Sequence, residues 1–173
     1  TEPAVHIHGT GGESSSNEIY FDNCRWERCP GTSFGITGSN VFCTRVTNFK
    51  MESDTTSAPI FKATGAVDLT LAKGIITATA ATGTITAMVD LTTCAAVDVD
   101  FTAQMMGSGT GATITNYIKT AAGGSRQRFV LRTLDPAPEP PAGYMISWDG
   151  ANPGSFSADV YTPLTAKPYN YYF

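Results

Sequence analysis

The chain has 173 residues, 42% hydrophobic and only 15% charged, with a net charge of −4 and a pI near 5.0. That suffices for one buried core, and the acidic balance argues against a nucleic-acid partner, which needs a basic stripe. No apolar run approaches the ~20 residues of a membrane span, so membrane insertion is not expected. No signal peptide is visible, and opening with Thr1 is expected of a processed chain or part of a longer one.

Residues 1–33 read as a first, less regular turn of a repeating structure. Val5-His6-Ile7-His8 alternates, which places both histidines on one side of a strand. Gly9 to Asn17 is a Gly/Ser loop. Ile19-Tyr20-Phe21 is the next strand, Asp22-Asn23 turns a corner, and Cys24 to Cys29 alternates before Pro30-Gly31 breaks the run.

From Phe34 to Gln104 the chain repeats itself. Val41-Phe42-Cys43-Thr44, Val67-Asp68-Leu69-Thr70 and Val89-Asp90-Leu91-Thr92 share one pattern, with starts 26 and 22 residues apart. Eight positions on from each valine come Phe49, Ile75 and Val97, and Ile19 and Phe21 lie 22 residues before Val41 and Cys43. The apolar-x-apolar pairs have the two-residue period of a strand with one buried face. A period in the twenties with strand content points to a solenoid, its coils about 4.8 Å apart. A leucine-rich repeat lacks its frame here. A β-sandwich gives no reason for the register to recur. On this register Ile19, Phe21, Val41, Cys43, Val67, Leu69, Val89 and Leu91 face inward in two columns, while Asp68 and Asp90 stack outward one coil apart. Asp98 and Asp100 also face outward, and the stacked acids form a solvated ladder in preference to one bridged by Lys73 or by a cation such as calcium.

Of the four cysteines, Cys24 and Cys29 are separated by four residues, wrong for a zinc knuckle, and Cys43 falls where the repeat has Leu69 and Leu91. All four are assigned as reduced core residues, a Cys24–Cys29 bridge being the exception to check. Phe129-Val130-Leu131 reads as a closing strand. The expected division is therefore 1–120 for the coils, 121–134 for the closing strand and 135–173 for an extended tail. That tail opens with Pro136 to Pro141 and holds one short strand, Gly143 to Trp148. It ends in Tyr169 to Phe173, and those aromatics need a surface, expected on a neighbouring subunit.

Asn23-Cys24-Arg25-Trp26-Glu27-Arg28-Cys29 followed by Gly35-Ile36 resembles a rung of the pectate-lyase-like superfamily. With the Gly/Thr/Ala-rich coils and the Pro-then-aromatic tail, the chain resembles the trunk and C-terminal part of a bacteriophage tailspike or tail-fibre protein. The resemblance covers roughly residues 4–120. It implies an all-β, right-handed parallel β-helix, a homotrimer among other virion proteins, contact with a bacterial surface glycan, and location in the virion. Some relatives hydrolyse or cleave polysaccharide, others only bind or serve as structure.

Glycoside hydrolysis needs two carboxylates on one face. The best candidates are Asp22 and Glu27, with Tyr20, Arg25 and Trp26 as sugar-binding neighbours. The plainer reading is that Asp22 stabilises a turn and Trp26 packs beneath a loop. His6 and His8 are a weak candidate metal pair, since imidazole suits a transition metal, though exposed histidines near a terminus are ordinarily solvated. No cofactor motif is present. The expected function is a structural and receptor-contacting β-helix with no catalysis of its own. Alternatives are a polysaccharide depolymerase with acids at Asp22 and Glu27, and a piece of a non-viral secreted adhesin or polysaccharide lyase.

Overall fold

Alternating apolar and polar residues give strands, and strands of near-constant spacing stack. The structure is a computed structural model that describes residues 2–9, 18–38, 41–54, 57–80, 82–106, 111–121, 126–133, 144–149, 156–161 and 171–172. Among the described residues it holds strands and no helix, and every strand pairing is parallel. The fold is a parallel β-solenoid.

The first sheet stacks β1 (Val5–His8), β4 (Phe34–Thr37), β7 (Phe61–Thr64), β10 (Val89–Thr92), β13 (Asn116–Ala121), β15 (Tyr144–Asp149) and β17 (Tyr171–Tyr172) in that order. The second stacks β2 (Ile19–Asp22), β5 (Phe42–Thr47), β8 (Val67–Ala78), β11 (Ala95–Met105), β14 (Gln127–Thr133) and β16 (Phe156–Tyr161). Beside β2 and β5, the short strands β3 (Arg25–Cys29) and β6 (Lys50–Ser53) pair with each other, and β6 pairs with the far half of β8. A small third sheet joins β9 (Thr82–Ile85) to β12 (Gly111–Ile114).

The core fills the space between the sheets. Phe34, Phe61, Val89 and Ile118 form one inward column of the first sheet, and the Phe34 and Phe61 rings stack with centroids 5.6 Å apart. In the second sheet Val46, Leu71, Val99 and Phe129 stack likewise, all fully buried.

The repeat register differs from the expected one. Along the first sheet Val5, Phe34, Phe61, Val89, Ile118, Ile146 and Tyr171 are successive partners, a coil of 25–29 residues. Val67-Asp68-Leu69-Thr70 belongs to the second sheet and Val89-Asp90-Leu91-Thr92 to the first, so the two strings lie on different sides of the solenoid. Any half-buried strand can carry apolar-x-apolar-Thr, and two sides of neighbouring coils do so here. Asp68 and Asp90 therefore do not stack. Val67 pairs with Phe42 and Ala95, and Ile19 pairs with Thr44 rather than Val41. Leu69, Val89 and Leu91 are fully buried as expected, Val41 too, whereas Ile19, Phe21, Cys43 and Val67 are half-buried.

Corners account for the displaced residues. Asn23, Asn48 and Lys73 all take left-handed φ of 50–56° and form one column of turns, with Asn23 N–H donating to Thr47 O and Asn48 N–H to Ala72 O. Asparagine tolerates this conformation at little cost. In the next coil the corner vanishes: Asp100 pairs with Ala72 and Phe101 with Gly74, leaving Lys73 bulged, and β11 runs straight through. Cys43 and Asp68 form a second left-handed column, φ 51° and 57°, which turns the Cys43 thiol toward the Asp68 carboxylate instead of the core.

All four cysteines are free, and only Cys29 and Cys94 are buried, so the core assignment fails for Cys24 and Cys43. The ladder runs past β14, with β16 beside it and β15 beside β13. The Pro136–Pro141 stretch and most of the terminal aromatic cluster lie outside the described residues.

Candidate functional site

The outer face of the second sheet gathers the chemistry. Ladder pairing runs Tyr20–Arg45–Thr70–Asp98–Arg128–Ser157 across the strands, and Asp22–Thr47–Ala72–Asp100–Val130–Asp159 two positions on. Strand alternation points these side chains away from the core, and all but the buried Val130 are exposed or half-buried.

Here acids meet bases from neighbouring coils. Arg45 reaches Asp68 with both terminal nitrogens, Nη2 to Oδ2 at 2.8 Å and Nη1 to Oδ1 at 3.0 Å, and Nη1 also donates to Thr70 Oγ1 at 2.7 Å. The Cys43 thiol donates to Asp68 Oδ2 at 3.3 Å. Arg45, and then the thiol, hold the Asp68 carboxyl below the usual carboxylate range, and in return the Cys43 thiol is pushed up. Arg128 pairs with Asp98 at 2.8 Å and Arg132 with Asp100. The Arg132 guanidinium lies 5.6 Å from the Tyr161 ring centroid. Asp98 and Asp100 thus face outward as expected, bridged by Arg128 and Arg132 of the next strand, not by Lys73.

The residues singled out in the sequence divide between two faces. Tyr20 is exposed at 67%, with Asp22 exposed two residues on. Asp22 accepts from Thr47 Oγ1 at 2.6 Å and Asn48 Nδ2 at 2.7 Å, and these donors, Thr47 first, hold its carboxyl below the usual range. Arg25 and Glu27 are exposed and paired with each other. Trp26, between them, points the other way. It pairs with the buried Met51, and its ring stands edge-on to Phe21 and Phe34 with centroids 6.2 and 5.4 Å away. The half-buried indole closes the end of the core instead of standing beside the two acids.

His6 and His8 do share a side, their rings stacked with centroids 5.5 Å apart. His6 Nε2 is 3.1 Å from Thr37 Oγ1, and Nδ1 is 3.5 Å from Glu2. Among the described residues no group of three or more histidine, cysteine, aspartate or glutamate side chains converges as a metal cage does.

The Arg45–Asp68 pair was not visible in the sequence. Its partners are 23 residues apart, one strand step offset by a corner, and only the true coil length aligns them. Chemically the face offers fixed charges, hydroxyls and two exposed tyrosines, Tyr20 and Tyr161. That suits hydrogen bonding and ring stacking. Asp22 and Asp68 are both held below the usual carboxylate range, the direction opposite to that of the general acid in glycosidic cleavage. The β-solenoid architecture is the part of the pectate-lyase-like resemblance that the structure bears out; no family model, curated protein sequence or solved structure matches the chain.

Proposed function

We propose that the chain is a structural and receptor-contacting part of a bacteriophage tailspike or tail fibre that binds host surface polysaccharide without cleaving it. In this reading three copies assemble with other virion proteins, and residues 135–173 contact a neighbouring copy. The observation that carries the proposal is the exposed Tyr20 at one end of the Arg45–Thr70–Asp98–Arg128 row. An aromatic ring beside ordered charges and hydroxyls recognises the apolar face and the hydroxyl rim of a sugar together. The depolymerase reading keeps one point in its favour: Asp22 and Glu27 are both solvent-exposed, on consecutive strands either side of the Asn23 corner. Against it, each carboxylate already has its own partners.

Titration with capsular or O-antigen polysaccharide, read by calorimetry and by a reducing-end assay, tests this. Binding that Tyr20→Ala weakens, with no new reducing ends, is the expected result. Reducing ends that appear with the parent and vanish in Asp22→Asn and Glu27→Gln would replace the proposal with the depolymerase. Absence of any binding would remove both.

A further inference from the structure

Charges on the outer face of the second sheet balance. Three arginines point outward from β5 and β14, and each is held by an aspartate of the adjacent coil. Arg45 binds Asp68 through both terminal nitrogens, at 2.8 and 3.0 Å, Arg128 binds Asp98 at 2.8 Å, and Arg132 binds Asp100. Two more exposed cations border the face, Lys73 at the bulge and Arg126 just before β14. Lys73 adds to the Thr47 and Asn48 hydrogen bonds that hold the Asp22 carboxyl low, and Arg126 adds to Arg45 and Cys43 at Asp68. Asp159, exposed on β16, stands between Ser157 and Tyr161, the ladder partners of Arg128 and Arg132. Five cations thus meet five aspartates here among the described residues, and each of the three sheet arginines already has its carboxylate.

We infer that this face takes an uncharged polysaccharide and discriminates against one that bears uronic or sialic acid. The inference rests on the glycan reading above and adds the charge class of the polymer. A sugar carboxylate finds no vacant guanidinium on the sheet: it must displace an aspartate that the fold already holds in place, or lie beside Asp22 or Asp159. Either outcome brings like charges together and costs affinity. The net charge of −4 on the whole chain adds long-range repulsion of a polyanion. A neutral sugar meets none of these penalties. Its hydroxyls donate to the aspartate oxygens and accept from guanidinium N–H groups that the aspartates leave over, since each arginine has five, and from the Thr47 and Thr70 hydroxyls between them. The exposed Tyr20 and Tyr161 rings mark the two ends of the face, five strand spacings or about 24 Å apart along the stack. A chain of several sugars spans that distance, and the paired charges between the rings are then met by hydroxyls alone.

Calorimetric titration of the full chain at neutral pH tests it. The probes are neutral O-antigen polysaccharides, capsular polysaccharides that contain uronic or sialic acid, and the same capsular polymers after chemical reduction of their carboxylates to alcohols. The expected result is binding of neutral polymer at least about tenfold tighter than of acidic polymer, through like-charge juxtaposition, with reduction of the carboxylates raising the affinity of the acidic ones. Asp98→Asn/Asp100→Asn leaves Arg128 and Arg132 without their carboxylates and should narrow the gap between the two polymer classes. Asp68→Asn, which frees Arg45, gives the same reading should the double variant fail to fold. Acidic polymer bound by the parent as tightly as neutral polymer would overturn the inference and leave the glycan reading standing. A gap that the folded aspartate variants leave unchanged would also overturn it, because the discrimination would then lie elsewhere. Absence of binding to every polymer would remove the glycan reading and this inference with it.

Discussion

Gly74→Ala is the most direct test of the corner geometry. A methyl group at Gly74 meets the Phe49 ring at 2.1, 2.1 and 2.4 Å, where carbon atoms ordinarily rest about 3.5–4.0 Å apart. Phe49 is only 3% exposed and packed into the core, so its ring cannot swing into solvent. Overpacking of this kind costs about 1–3 kcal/mol. Loss of glycine's freedom in the unfolded chain returns about 0.4–1 kcal/mol, which leaves a net loss of about 0–2.6 kcal/mol, towards the upper end here because the contacts are so short and the ring is enclosed. Urea denaturation compared at unchanged m-value reads it. Phe49→Leu shortens the obstructing ring, so the double variant should lose less than the sum of the two singles, with a coupling of about 0.5 kcal/mol or more. A Gly74→Ala midpoint equal to the parent's, or strictly additive losses, would refute the stacking of Phe49 on Gly74.

Leu69→Ala should cost about 2–5 kcal/mol by the same measurement, as truncation of a fully buried leucine does; a change under about 0.5 kcal/mol would place Leu69 outside the core. Asp68→Asn should cost at most about 1 kcal/mol at neutral pH, because the pair with Arg45 is over a third exposed on the acid's side. The Asp68 carboxyl is depressed in the folded state, so its contribution is complete above the unfolded value of about 3.9 and fades as pH falls through the folded value. The gap between parent and Asp68→Asn should therefore close only in acid, and a gap constant from neutral pH into strong acid would refute the pairing. Thiol labelling at pH 8 should modify Cys24 first, while Cys94, buried and with its thiol pushed up to about 11, reacts only on unfolding; labelling of Cys94 in the native protein would contradict its place in the core.

The strand content and its solenoid order were legible in the sequence because alternation of apolar and polar residues records a buried face directly. Val97, Val99 and Phe101 point in and Asp98 and Asp100 point out, as their alternation requires. The coil length was not legible. The Val-Asp-Leu-Thr string of 67–70 recurs at 89–92 on a different sheet, and its spacing measures the distance between two sides. One left-handed residue at Cys43 was enough to reverse the facing expected for its thiol. Trp26 shows the same limit at the candidate site. Lying between Arg25 and Glu27, it reads as a neighbour of the acids, yet strand geometry sends it to the opposite face. Side-chain pairs across coils, such as Arg45 with Asp68, depend on register and were beyond reach without it.

The vanished corner connects the architecture to the proposed glycan-contacting surface. In the first coils the second side is broken at Asn23 and Asn48, and the short strands β3 and β6 beyond the break carry Arg25, Glu27, Lys50 and Glu52. From β8 onward the turn is reduced to a bulge and then lost, so the same side becomes one long strand per coil. In β8 and β11 the segment beyond the old corner carries no charge, Ile75 to Ala78 and Thr102 to Met105 replacing it, and Arg132 of β14 stands beside Thr102 in the next coil. On the near half Arg45, Asp68, Asp98 and Arg128 neutralise one another between coils. A straight far half that β8 and β11 leave without charge, beside a near half of paired charges, gives one side of the solenoid two chemistries, and the charged half is the one proposed to meet a hydroxyl-rich polymer.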